Sequence, residues 1–578
     1  MEFEDTPAAS EHQEEEVDFP IKHNDEAQST LVVLSSTELC LGPIRPQLPM
    51  AMPMRLLQLL LCAGLLASCA EGEGHTGLPF GRAVREKYFQ FEPGFRNFNH
   101  GGFGATPIPV RRAQEALITT AEAQPTRWFA GGNGSYHAAL ATVRPRLASL
   151  MGANESDLVF LDDASSGLNA VLRSLRWQPN DILLLTTAAY AVLPNTAQWL
   201  QRRYGIRTLH VEVHFPATGG ETFLDPVREA LEKLGGEASR LRLAVFDHVS
   251  SYPPAVLPVE ALAKQVKEAA PSALVLLDGA HALGQVPISM TALATAGVDF
   301  YVTDGHKWLM APKGSGALWA RPSAQPLLEP AIISSDNAPG SSFQSRFDYI
   351  GTRDYTPWCA MGSTMDFRRD VLGGEDRIQS YVTGLARWAG RHMADRLGTE
   401  TVAPDSMTPG MFALRLPLPE DWTPSQKTAC SGLIAQGLIG QYSMQVISFA
   451  LHTPTSDGRE EVTHWIRVSA QVYLERSDFE DLTHAVMSLR DMDAAESTPI
   501  DAGAGKPERS MQKPPIIWLH VYDLGQMTAK LNTFMLRSMG IGAYHVGVEV
   551  LGDEWYFRWS DTAGRRNPWS ICADSKFE

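Results

Sequence analysis

Cysteine is scarce in this chain of 578 residues, and the six present (Cys40, Cys62, Cys69, Cys359, Cys430 and Cys572) are scattered. None forms a CxxC pair and none stands at zinc-ligand spacing from another, so neither a disulfide framework nor a metal site is expected. Positive charge is also short, with 49 Lys and Arg against 66 Asp and Glu and a net charge of −17. That balance argues against a nucleic-acid partner, whose phosphates reward Lys and Arg. An apolar run of the about 20 residues that a membrane span needs is missing. With 44% hydrophobic and 20% charged residues the composition is ordinary for a globular protein, which excludes a mainly disordered or fibrous chain. At roughly 100–200 residues per domain the length gives three or four domains, or one large enzyme with appendages.

The negative charge is concentrated at the start. Residues 1–28 hold ten carboxylates against the single Lys22. A stretch so poor in apolar side chains cannot offset its ordering entropy by burial. Residues 1–50 therefore read as an acidic disordered tail. Residues 54–70 (MRLLQLLLCAGLLASCA) run from one Arg through an apolar stretch to small residues. That is the anatomy of a secretory signal peptide, and residues 51–72 are assigned to it. Met50, Met52 and Met54 lie just ahead. Initiation there implies the secretory pathway, and initiation at Met1 implies the cytoplasm. The competing reading is a buried amphiphilic helix.

Residues 80–490 alternate short apolar runs, 181–187 (DILLLTT), 241–246 (LRLAVF) and 273–277 (ALVLL), with helical stretches such as 258–269 (PVEALAKQVKEA). Alternation of this kind predicts an α/β fold with a mostly parallel sheet covered by helices on both faces. Ligands in such sheets bind at the carboxyl ends of strands. Two of those ends carry Asp278-Gly279-Ala280-His281 and Asp304-Gly305-His306-Lys307-Trp308. A lysine and a carboxylate so placed are what a pyridoxal phosphate site needs: the amine binds the aldehyde, and the carboxylate keeps the ring nitrogen protonated.

The segment DGAHALGQVPISMTALATAGVDFYVTDGHKWLMAPKGSGALWARP resembles the class V aminotransferase family over its whole length. Within that family it is most similar to the branch of isopenicillin N epimerase and hercynylcysteine sulfoxide lyase. The resemblance extends from FNHGGFGATP to WIRVSAQVY and implies a pyridoxal 5'-phosphate enzyme of fold type I with a small C-terminal α+β subdomain. It makes Lys307 the Schiff-base lysine and Asp278 the partner of the ring nitrogen. His281 would donate to the ring hydroxyl, and His306 would help hold the phosphate. Ala164, Ser165 and Ser166 match the loop that cradles the phosphate with backbone N–H groups at a helix N-terminus, although Asp163 replaces the family's Asn there. Tyr190 matches the aromatic stacked on the cofactor, with a phenol able to move a proton. Arg467 matches the clamp for a substrate carboxylate, and Asn99 and His100 fall on the substrate side. Thr352, in Gly351-Thr352-Arg353-Asp354, matches a residue that reaches the neighbouring subunit's phosphate, which implies a homodimer. No cysteine lies between Ser431 and Arg467, where the desulfurases of this superfamily carry their persulfide-forming Cys, so transfer through an enzyme persulfide is not expected.

Residues 491–512 are polar, rich in small residues and aperiodic, and read as a linker. Beyond them, residues 513–578 contain PIIWLHVYDLG and GIGAYHVGVEVLGDEWYFRW. These resemble the PPPDE family of papain-like thiol peptidases, which includes desumoylating isopeptidases. His545 matches its catalytic histidine, and a ubiquitin-like protein would be its partner. Cys572 does not stand in that family's nucleophile context, so the segment reads as a partial, inactive peptidase-like domain. The expected function is thus C–S lyase or epimerase chemistry on a small amino-acid-like substrate. The alternative is a thiol isopeptidase to which the central domain is merely fused.

Overall fold

The computed structural model describes residues 78–454 and 460–496, with three further strands, His545–Val550, Asp553–Arg558 and Ile571–Cys572. The acidic tail, the signal-like segment and much of the stretches 491–512 and 513–578 lie outside the described residues.

The central sheet has seven strands: β1 (Leu158–Leu161), β2 (Ile182–Thr186), β3 (Arg207–Val211), β4 (Leu241–Asp247), β5 (Leu274–Asp278), β6 (Phe300–Asp304) and β7 (Gly316–Ala320). Their spatial order is 3-2-4-5-6-7-1. Strands β3, β2, β4, β5 and β6 run parallel, and β7 is antiparallel to both of its neighbours. The longer helices are α1 (Ile108–Ala123), α2 (Tyr136–Met151), α3 (Ala164–Ser174), α4 (Val192–Tyr204), α5 (Glu221–Leu234), α6 (Val259–Ala269), α7 (Thr356–Asp366), α8 (Glu375–Leu397), α9 (Pro424–Tyr442) and α10 (Arg476–Glu496). The mostly parallel α/β sheet read from the sequence is the fold observed.

Side chains alternate across the strands and divide the core in two. Leu183, Leu185, Leu243 and Val245 pack with Leu168 and Val171 of α3 and Leu193 and Leu200 of α4. Ile182, Leu184, Ala244 and Phe246 face the other way, toward a core shared with α2, α5 and α6. Helix α6 shows the cause plainly. Val259, Leu262, Ala263 and Val266 recur at helical spacing and are all buried, while Glu260, Lys264 and Lys267 are spared from the core. Burial of each such side chain contributes about 1.5–3 kcal/mol.

A second, antiparallel sheet is formed by β8 (Met411–Arg415), β9 (Ile447–Pro454) and β10 (Glu460–Ser469), in the order 9-10-8. Helices α8, α9 and α10 pack with it to make the small α+β subdomain. The N-terminal stretch is tied to that subdomain: Arg96–Asn97 pairs with Met444–Gln445, and Ser469 N–H donates to Phe98 O at 2.6 Å. Helix α10 continues through Glu496, so residues 491–496 extend a helix where the sequence read as the start of a linker. Asp491-Met492-Asp493-Ala494-Ala495-Glu496 lacks Gly and Pro, and its Ala, Met and Glu favour continuation. The last three strands, β11 (His545–Val550), β12 (Asp553–Arg558) and β13 (Ile571–Cys572), form an antiparallel sheet with β12 central. His545 pairs with Arg558 and Cys572 with Tyr556.

The loop after β6 is gripped by remote parts of the chain. His100 Nε2 bonds Lys307 O at 3.0 Å, and Arg368 donates to Trp308 O and Gly284 O, both at 2.9 Å. Arg368 is 1% exposed and also pairs with Glu375, at the start of α8, at 2.5 Å. Gly104, at φ +66°, lies so close that an added Cβ would overlap His306 O. A prediction follows from the burial of Arg368. Its replacement by Met leaves two buried carbonyls and Glu375 without their donor, and should cost about 3–5 kcal/mol in urea unfolding. Arg391→Ala, which breaks an exposed pair with Asp405, should cost about 0–1 kcal/mol. Equal effects would mean that the loop does not depend on this grip.

Candidate active site

The carboxyl ends of β4, β5 and β6 deliver Asp247, Asp278 and Asp304 to one pocket, with Lys307 just beyond β6. Helix α3 adds Ala164, Ser165 and Leu168, and the turn after β2 adds Tyr190. Ser251, Ala280 and His281 also line the cavity. Lys307 Nζ is 3.0 Å from Asp304 Oδ2. The other oxygen of Asp304 accepts the Ala164 N–H at 2.7 Å. One carboxylate therefore ties the lysine to the head of α3.

Asp278 is 3% exposed and accepts the Ala280 N–H at 2.9 Å. Burial holds its carboxyl above the usual range. His281 is likewise buried. Burial, and then the Lys307 charge, push its imidazole well below its ordinary pKa, so the ring is neutral. Trp308 Nε1–H donates to His281 Nδ1 at 3.3 Å, which assigns the remaining proton to Nε2. His281 is thus a hydrogen-bond donor rather than a charge.

Arg467, on β10, is 1% exposed. It donates to Asn99 Oδ1 at 2.8 Å, to Ser251 Oγ at 2.9 Å and to Ser251 O at 3.2 Å. Its guanidinium lies over the Tyr252 ring, 4.4 Å from the centroid. Its Nε is buried without an acceptor among the described residues, a donor left for an anion. Tyr190, 46% exposed, stands at the mouth and lies within electrostatic reach of Arg467.

Lys307, Asp278, His281, Tyr190, Ala164 and Ser165 thus meet in one pocket, and Arg467 is held at its edge by Ser251. Other assignments change. His100 is fully buried, and desolvation takes its pKa to about 3. It bonds Lys307 O, and Tyr473 O–H lies 2.9 Å from its Nδ1, so it fastens the lysine loop instead of facing substrate. Asn99 orients Arg467 and does not line the pocket. His306 does not line it either: its Nδ1 lies 3.3 Å from Ser315 O and 3.9 Å from Asp304 Oδ1, the oxygen that takes the Ala164 N–H. Ser166 gives both its N–H (2.7 Å) and its hydroxyl (2.9 Å) to Asp163 Oδ1. Because Asp163 acts as an N-cap and Asp304 takes the Ala164 N–H, only Ser165 of the three keeps its N–H for an anion. Thr352 bonds Tyr349 at 3.1 Å and lies outside the pocket of its own chain, on a loop pinned by the ion pair of Arg353 with Asp162.

The sequence reading passed over Asp247, Asp304 and Ser251. Asp247 and Asp304 end apolar strands just as Asp278 does, and the strand-end rule that found Asp278 applies to them equally. Ser251 carries no such signal, because its part emerges only when β10 brings Arg467 alongside.

The donor set fits pyridoxal 5'-phosphate: a lysine beside a buried carboxylate that has no arginine or lysine ion pair among the described residues, and a neutral imidazole donor next to both. Comparison with known proteins agrees. The "L-cysteine desulfhydrase-like protein lolT1" of Epichloe uncinata is 28% identical over 441 residues, which is 70% of this chain and 94% of that protein. The isopenicillin N epimerase of Streptomyces clavuligerus is 31% identical over 292 residues, 47% of this chain and 70% of that protein. Among solved structures, a lysine-to-alanine mutant of C-DES with glycine covalently linked to its PLP cofactor superposes with a TM-score of 0.56 at 19% identity, covering 70% of this chain and 99% of that one. The aminotransferase class V model matches residues 104–480. The chain belongs to the class V aminotransferase family.

Proposed function

We propose that this protein is a pyridoxal 5'-phosphate-dependent lyase that breaks the Cβ–S bond of a small cysteine-like amino acid, and that it works as a homodimer. The observation that carries the reading is the meeting of Lys307 and Asp278 in one buried pocket edged by the Arg467 clamp. The cofactor, when bound, supplies an electron sink for the bonds at the substrate α-carbon.

This chain's residues do the rest. Lys307 would hold the cofactor through its amine and carry the α-proton on Nζ. Asp278 would keep the ring nitrogen protonated, and His281 Nε2–H would donate to the ring. Ser165 N–H offers the helix-terminal donor for the phosphate. Arg467 Nε would take the substrate carboxylate, with Asn99 and Ser251 holding the guanidinium plane. Preorganised donors of this kind fix which bond is aligned for cleavage.

The choice of elimination over epimerisation rests on Tyr190. Epimerisation requires a base on each side of the α-carbon. Among the pocket-lining residues Tyr190 is the titratable group at the open mouth, and a phenol at neutral pH is a weak base but a competent proton donor to a departing sulfur. Among the described residues no cysteine lines the pocket, so sulfur would leave as free sulfide or thiol. The match to nearly the whole length of a protein named for cysteine desulfhydrase supports the same choice.

Three outcomes test the reading. Borohydride reduction of the cofactor-loaded protein, followed by peptide mapping, should place the added mass on Lys307; its appearance on another lysine would reject the assignment. With L-cysteine in deuterated water, the products should be pyruvate, ammonia and sulfide, and Tyr190→Phe should lower turnover by roughly 10²–10⁴-fold with little change in binding. Recovery of inverted, α-deuterated amino acid without pyruvate would establish an epimerase instead. Finally, sedimentation should show a dimer, and mixing Lys307→Ala with Thr352→Ala protomers should restore activity in hybrid dimers. A cofactor-loaded, active monomer would overturn the shared-site reading of Thr352.

A further inference from the structure

Asp247 has no part in the mechanism above, yet it lies in the same pocket as Asp278. The two residues end neighbouring parallel strands and are in direct register, which sets their backbones about 4.8 Å apart. Each is 3% exposed and each lines the cavity. Asp247 Oδ2 is buried with no hydrogen-bond partner among the described residues. No lysine or arginine there forms an ion pair with either carboxylate, because Lys307 is paired with Asp304.

The surroundings offer little other charge. His248, beside Asp247 on the chain, lies 2.9 Å by Nδ1 from the Tyr301 hydroxyl of β6, and burial lowers its pKa to about 4, so it is neutral. Burial raises the Tyr301 phenol well above its usual value, so it too is uncharged. His281 is neutral, and Tyr190 and Arg467 stand toward the mouth. At the end of β6, Lys307 pairs with Asp304 at 3.0 Å, and His306 Nδ1 lies 3.9 Å from the same carboxylate. Two carboxylates held side by side in a dry pocket cannot both ionise at little cost. Burial, and then the neighbouring Asp278 charge, push Asp247 upward.

We infer that Asp247 is a further residue of the cofactor site: it shares one proton with Asp278, and the single negative charge met by a cationic ring nitrogen belongs to the pair. The inference rests on the pyridoxal phosphate reading and deepens it. Its consequence is redundancy. When Asp278 is made neutral, the shared proton has no second carboxylate to serve, and Asp247 ionises in its place. An opposite charge within about 4–6 Å shifts a pKa by about 1–3 units, enough to keep the ring nitrogen protonated from the adjacent strand.

The test uses full-length protein loaded with pyridoxal phosphate labelled with ¹⁵N in the ring, whose chemical shift reports protonation of that nitrogen. Wild type, Asp247→Asn, Asp278→Asn and the double variant are compared near neutral pH. The nitrogen should be protonated in wild type and in either single variant and should lose its proton in the double variant. There the dissociation constant of the cofactor should rise by a further roughly 10–1,000-fold. A nitrogen already unprotonated in Asp278→Asn would overturn the inference while leaving the cofactor reading intact, and this single variant decides even if the double variant does not fold. Wild-type protein that binds no pyridoxal phosphate would overturn both.

Discussion

The geometry of this site depends on how a short loop, Gly305 to Ala311, is held behind Lys307. A backbone that must present one amine to a pocket cannot do so while its own carbonyls compete for water. Here they are captured: Lys307 O by His100, and Trp308 O by Arg368. Met310 in the same loop takes a positive φ of 70°, a conformation that costs a side-chain-bearing residue energy and persists only where surroundings impose it. The loop's own Ala311 N–H closes back on Gly305 O at 3.0 Å. Lysine placement is therefore a property of packing from two distant segments rather than of the loop sequence.

Electrostatics adds a second layer. Most charged groups of the pocket are matched within it: Lys307 with Asp304, and Arg467 with the dipoles of Asn99 and Ser251. What remains unmatched is the acidic side at the ends of β4 and β5 and one donor on Arg467. Buried polar groups without partners are costly. Both imbalances are of the sign that a ligand with a cationic ring nitrogen and an amino-acid carboxylate would relieve.

The sheet, its helices and the lysine–carboxylate pair were legible in the sequence for one reason: strand ends in parallel sheets are marked locally, by an apolar run that stops at a polar residue. Asp278 and Lys307 are found this way. The bonds of the His100 and His306 rings were not legible, because a motif fixes where a residue sits on the chain and not which way its ring turns. The turn is decided by Tyr473 and Ser315, each remote or unremarkable in sequence. Asp163 is a similar case. It caps α3 and takes the Ser166 N–H, a local bond that a match to a phosphate-cradling loop does not reveal. Asn99 matches the expected region but acts through Arg467, a partnership between residues 368 positions apart. Local pattern does not encode contacts of that span.

That span has a consequence for how the protein comes into being on the ribosome. The clamp needs Asn99, Ser251 and Arg467 together, and the lysine loop needs His100 and Arg368. Synthesis at about 5–20 residues per second delivers these groups over tens of seconds, with the loop's first partner made long before the loop and its second well after. The large sheet can close once β7 has emerged, but the clamp cannot exist until β10 docks. A nascent chain halted before Arg467 would carry a folded sheet with its lysine in reach of solvent and no means of orienting a substrate. On the function proposed above, the means of orienting a substrate is the last part of the site to be assembled.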